Sequence, residues 1–171
     1  SFCAAAINSN IKRVIYLGGL GNDNDKLSKH LASRHKTGEI LKQGLPQLIE
    51  FRASMVIGHG SISYDIITNL IHKLPILTLP KWAKTLTQPI GLNDALAYLL
   101  AALELGPKES LIIEIGGPEQ LSYGDLMKRY AAWKNKKMII IKLHIIPVSV
   151  AAWWLNLFTP AKHAKIGRIM V

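Results

Sequence analysis

The sequence predicts an α/β fold with a mainly parallel sheet. Short, nearly continuous apolar runs alternate along the chain with segments of helical spacing, the pattern of strands joined by crossover helices. Glycine pairs close two of those runs, Gly18-Gly19 and Gly116-Gly117. Scale agrees: 171 residues, 49% of them hydrophobic, are enough for one domain with a real core.

Taken in order, Phe2 to Ile7 reads as the end of a helix and Arg13 to Leu17 as a buried strand. Leu27 to Gln43 has helical spacing, with Leu31, Ile40 and Leu41 available for one face and Gly44 as a stop. Leu48 to Ile57 reads as a second buried strand. Ser63 to Lys73 carries Ile66, Ile67, Leu70 and Ile71 at helical spacing and ends before Pro75. Asn93 is the expected N-cap of a helix running to Glu104. Leu111 to Ile115 is a short strand, after which Ser122 and Asp125 form a Ser-x-x-Asp variant of the capping box at the head of another helix. Ile139 to Leu143 reads as a strand. The apolar run Ile145 to Phe158 has fourteen residues and contains Pro147, too few for the ~20 that a spanning helix needs. It is expected to dock as a helix, or to lie at a membrane surface with Lys162, Lys165 and Arg168 beside it.

Charge and cysteine content exclude several classes. Cys3 is the only cysteine, so an internal disulfide and a thiolate metal cluster are excluded, which fits a reducing, cytoplasmic setting. No segment reads as a signal peptide. The net charge is +10, and all eleven acidic residues stand at or before Asp125. From Leu126 onward there are nine Lys or Arg, with Lys134, Lys136 and Lys137 clustered. Such a face attracts phosphates, an anionic membrane surface or an acidic partner, or is simply solvated. The aromatic residues are not interleaved with these cations as a single-strand platform requires, so specific nucleic-acid binding is not expected. His35 and His163 have no carboxylate at ligand spacing, so no metal is expected.

The segments VIYLGGLG, HLASRHKTGE, FRASMVIGHGS, TQPIGLNDA and IIEIGGPEQLSYGDL occur in this order. From about Ile11 to about Pro160 the chain resembles the second half of an extended, atypical short-chain dehydrogenase/reductase, of the NAD-dependent epimerase/dehydratase-like or NmrA-like kind. The resemblance implies an incomplete Rossmann-like fold that lacks the N-terminal cofactor-binding half. Residues 1–116 would supply later strands and helices, and 117–171 a small substrate-side lobe with a basic tail.

It also implies site residues. The family places a catalytic Tyr and, four residues later, a Lys on one helix face; counted from Gly38 and Glu39, that register gives His30 and Arg34. A histidine at position 30 could serve as general acid or base, while Arg34 can donate to a ribose hydroxyl or neutralise a phosphate. The helper Ser is displaced, because the strand ends in Gly18 and Gly19. Two readings follow: residual catalysis by His30, or dinucleotide binding without turnover, with His30 and Arg34 as plain helix-surface residues.

Gly18, Gly19, Arg34, Ala53 and Met55 are the expected contacts of an NAD or NADP cofactor. Arg52, His59, Ser61, Ser63 and Gln88 are expected around a small-molecule substrate, with turn formation and capping as the competing role of the Gly58 to Ser63 stretch. Homo-oligomerisation and a weak, peripheral contact with an anionic membrane surface complete the expectations.

Overall fold

The computed structural model describes residues 1–21, 27–73, 76–79, 81–106, 109–137 and 139–142. In chain order the elements are α1 (Phe2–Asn8), β1 (Val14–Gly19), α2 (Lys29–Gly44), β2 (Leu48–Ala53), β3 (Met55–Ile57), α3 (Ile62–Lys73), β4 (Ile76–Leu79), a 3-10 turn (Lys81–Lys84), β5 (Leu86–Thr87), β6 (Pro89–Gly91), α4 (Leu92–Glu104), β7 (Leu111–Ile115), β8 (Leu121–Ser122), α5 (Tyr123–Trp133) and β9 (Ile139–Lys142). They form two compact units. One joins Ser1–Ser54 to Ile90–Gly117; the other joins Met55–Pro89 to the residues from Pro118 onward. The chain crosses between the units after Ser54, after Pro89 and after Gly117.

The first unit is built on a parallel sheet of order β1-β2-β7. All six residues of the central β2 are buried, as expected of a parallel strand with a helix on each face. Alternation assigns the faces. Phe51 meets the Tyr98 ring of α4 at 6.1 Å between centroids, so Ile49, Phe51 and Ala53 face α4. Glu50 lies against Gly38 of α2, so Leu48, Glu50 and Arg52 face α2. Arg13, just before β1, donates to the carbonyls of Ala102, Leu103 and Leu105 and to Gln47 Oε1, satisfying the carbonyls at the end of α4.

Several local expectations change. The single strand expected over Leu48 to Ile57 is interrupted at the exposed Ser54, where the chain leaves the three-stranded sheet. No glycine or proline between Leu48 and Ile57 marks this one-residue break in the sequence. Asn93 is not the cap of α4: Gly91 holds that position in extended geometry, and Asn93 and Asp94 fall inside the first turn. On α2, Ile40 is exposed and the buried residues are His35 and Gly38. Pro147, the run to Phe158 and the basic tail lie outside the described residues.

In the second unit α3 and α5 pack around Met55, Ile66, Ile67, Leu70, Ile71, Leu79 and Met127. β4 pairs with β9 in parallel and β5 with β8 antiparallel. Ser122 caps α5 as its sequence predicts, accepting from the Asp125 amide at 3.1 Å. The helices also bring together aromatic residues far apart in sequence. Tyr130 meets Tyr64 at 6.0 Å, His72 at 6.3 Å and Trp133 at 5.7 Å between centroids. Lys134 Nζ sits 4.1 Å over the Trp133 ring, which places one cation against this cluster.

Desolvation first, then the hydroxyl of Tyr64, pushes the Tyr130 phenol from 10.0 up to about 12. A raised folded-state value means that Tyr130 contributes its stability in full below pH about 10 and loses it as the pH rises toward 12. An alkaline absorbance titration is expected to show a last phenolate step near pH 12 that disappears in Tyr130→Phe.

Candidate functional site at the carboxyl end of the parallel sheet

The carboxyl ends of parallel strands are where open α/β sheets take their ligands, because helix N-termini and loops converge there. In the first unit that end is formed by Gly18-Gly19 of β1 and Arg52-Ala53 of β2, in register with each other. A buried charge sets its geometry. Glu50 is 1% exposed and accepts from Arg52 Nε at 3.0 Å, two residues along the same face of β2. A Cβ on Gly38 of α2 would stand 2.5 Å from Glu50 Oε2, and one on Gly18 of β1 would stand 2.7 Å from Oε1. The carboxylate is therefore seated between two glycines, one on the helix and one on the strand, where an added Cβ would oblige it to shift.

This seat brings α2 close to the strand. Strand peptide groups point alternately to the two edges. Val14 donates to Gln47 O and Leu20 to Ala53 O, so the even-numbered residues of β1 face β2. The carbonyls of Leu17 and Gly19 then point to the opposite edge, where β1 is the last strand among the described residues. Side chains of α2 cover both. Arg34 Nη2 donates to Leu17 O at 2.5 Å, and His35 Nε2 donates to Gly19 O at 2.8 Å. Tyr16 adds a bond from its hydroxyl to Arg34 O at 3.2 Å.

The expected residues are distributed unevenly. Gly18, Gly19, Arg34, Arg52 and Ala53 gather at this end of the first unit. His30 is on the same helix one turn earlier, is exposed, and bonds to nothing among the described residues. Gly19 has Leu31 of α2 packed where its Cβ would be, so its close approach serves helix packing. Arg52 is 7% exposed and bonded to Glu50.

Met55, His59, Ser61 and Gln88 belong to the second unit. Met55 is part of that unit's core, and His59 is exposed. Ser61 Oγ accepts from the Tyr64 amide and donates to Val56 O, which is the capping role weighed for this stretch. Ser63 is half-buried within α3. Sequence reasoning missed His35 and Glu50. His35 was weighed only as a metal ligand, and Glu50 stands in an apolar run that hides a charge. The one signal for both was Gly38 in mid-helix, where glycine is otherwise unfavourable by about 1 kcal/mol. Among the described residues no group of three or more His, Cys, Asp or Glu is placed to hold a metal ion, and no helix is long and apolar enough to cross a membrane.

No family model matches the sequence, and no curated protein does. Solved structures do match. The UDP-glucuronic acid 4-epimerase of Bacillus cereus in complex with NAD is 17% identical, with 83% of this chain and 53% of that one covered at a TM-score of 0.66. The UDP-glucose 4-epimerase of Thermotoga maritima with UDP-glucose is 15% identical, with 84% and 54% covered at 0.66. The dTDP-4-dehydrorhamnose reductase of Bacillus anthracis in complex with NADP is 12% identical, with 83% and 54% covered at 0.68. At these identities the likeness establishes the fold. The chain has the Rossmann-type α/β fold of these structures, and it spans about half their length.

Gly38→Val is expected to force α2 away from Glu50 and to cost about 1–3 kcal/mol, the usual range for overpacking. Urea unfolding measures it, and an unchanged midpoint would show that the seat is not tight.

Proposed function

We propose that this chain is the later part of an NAD(P)-binding oxidoreductase of the epimerase/dehydratase kind, with Arg34 holding the cofactor. The observation that supports this reading is the state of the Arg34 guanidinium. It is half-buried at the carboxyl end of β1, and one N–H donates to Leu17 O. Among the described residues its other donors have no bonding partner, so they fit a ribose hydroxyl or a phosphate oxygen.

His35 positions rather than reacts, by tying Gly19 O to α2. The backbone at Ala53 closes the neighbouring strand end, since its carbonyl accepts from Leu20. NAD or NADP, when bound, supplies the hydride chemistry. His30 is the candidate proton donor or acceptor, and the substrate is a small molecule, a nucleotide-linked sugar by analogy with the solved structures. Arg52, His59, Ser61 and Gln88 remain proposals for its pocket.

A second reading is a dinucleotide-sensing protein without turnover. It is favoured by the exposure of His30 and by the absence, among the described residues, of a bond to orient it, since a general acid needs a fixed geometry.

The test begins with the reading frame upstream of Ser1. A strand, glycine turn and helix encoded in frame are expected; their absence overturns the proposal. The protein carrying them is then titrated calorimetrically with NAD and NADP. Arg34→Ala is expected to weaken binding at least tenfold and Arg34→Lys less, as for a lost charged hydrogen bond of about 1.5–3 kcal/mol. Turnover abolished by His30→Ala supports the enzyme, and binding without turnover supports the sensor.

A further inference from the structure

The cluster built on Tyr130 ends at a surface that the dinucleotide site does not use. α3 ends at His72-Lys73, α5 ends at Trp133, and the turn that follows carries Lys134, Lys136 and Lys137. The turn is well defined. Asn135 takes a left-handed φ of 51°, and the amides of Lys134, Asn135 and Lys136 bond the last carbonyls of α5, closing the helix as a left-handed cap does. Lys136 Nζ donates to His72 O, tying the turn to the end of α3.

Two large apolar side chains close to this turn in sequence are exposed. Trp133 is 68% exposed and Ile139, where β9 begins, is 63% exposed. No acidic residue follows Asp125 in the sequence, and the acidic residues of both helices, Asp65 and Asp125, sit in their first turns.

We infer that this end of the second unit binds the surface of an anionic lipid bilayer, with Trp133 and Ile139 entering the headgroup region and Lys134 and Lys137 meeting lipid phosphates and carboxylates. The chemistry of the patch selects this partner. An indole with an apolar body and a polar N–H settles at the headgroup level, and lysine stems cover apolar surface while their ammonium groups stay in water. Each basic residue near an anionic leaflet adds to the attraction. A nucleobase is the less suitable occupant, because Lys134 already sits over the Trp133 ring and Tyr130 packs beside it, so stacking would displace them. The inference stands apart from the proposed cofactor site, because every residue it uses belongs to the second unit.

Co-sedimentation of the full chain with vesicles tests it. Binding is expected to phosphatidylcholine vesicles containing phosphatidylserine, not to phosphatidylcholine alone, and to weaken as salt is raised. The Lys134→Gln/Lys137→Gln double variant is expected to bind about thirtyfold more weakly, from the contribution of two lysines near a charged leaflet. Trp133→Ala is expected to reduce binding too, with unchanged circular dichroism. Equal binding to neutral vesicles would overturn the inference. So would loss of binding in Lys162→Gln/Lys165→Gln with none in Lys134→Gln/Lys137→Gln, or a preference for a single-stranded oligonucleotide over vesicles, lost in the same patch variants.

Discussion

The first unit depends on where the Glu50 carboxylate is placed. A carboxylate 1% exposed in the middle of a parallel sheet is costly unless it is paired, and Arg52 provides the pair from the same strand face. What remains is steric. The group occupies the volume that side chains at Gly18 and Gly38 would fill, so strand and helix approach each other around it. Apolar burial does little to hold α2. Its sequence is polar, Ile40 points to solvent, and its buried residues are a histidine and a glycine. A helix of this kind is fixed by particular polar contacts rather than by a broad apolar stripe, which makes its position well specified and its stability sensitive to single changes.

That position has a chemical consequence. Once Gly38 rests on Glu50, the preceding turn of α2 runs along the outer edge of β1, and Arg34 and His35 reach the carbonyls of Leu17 and Gly19. An uncovered strand edge invites pairing with another chain, and charged side chains are a common way to blunt it. Here the edge cover and the proposed cofactor ligand are the same residue. Arg34 uses one donor to hold the strand and has others to offer a ligand, so the packing of the fold and its proposed binding chemistry meet in one guanidinium.

Much of this was legible in the sequence, for physical reasons. β1, β7, α3 and α5 follow from apolar runs, helical spacing and the Ser122 cap, since each is a local signal with a local outcome. The Glu50 seat was not legible. It joins a glycine on β1, a charge on β2 and a glycine on α2, and no spacing rule connects three elements. No glycine or proline marks the break at Ser54, and the cluster of Tyr64, His72, Tyr130 and Trp133 was hidden by the distance along the chain between two helices. Arg34 stands on α2, with a strand carbonyl as a partner that no sequence pattern supplied. His30 was read at its helix position, and the structure leaves it exposed.

Native-state hydrogen exchange tests most directly whether the Glu50 seat holds α2 to the sheet. The amides of α2 from Lys36 to Leu41 should exchange through the same opening as those of β1 and β2, with one common free energy. Glu50→Ala should lower the protection of all three elements together, by about 3–5 kcal/mol as for a broken buried pair. Exchange of α2 well ahead of the sheet in the unaltered protein, or protection unchanged in Glu50→Ala, would contradict the account.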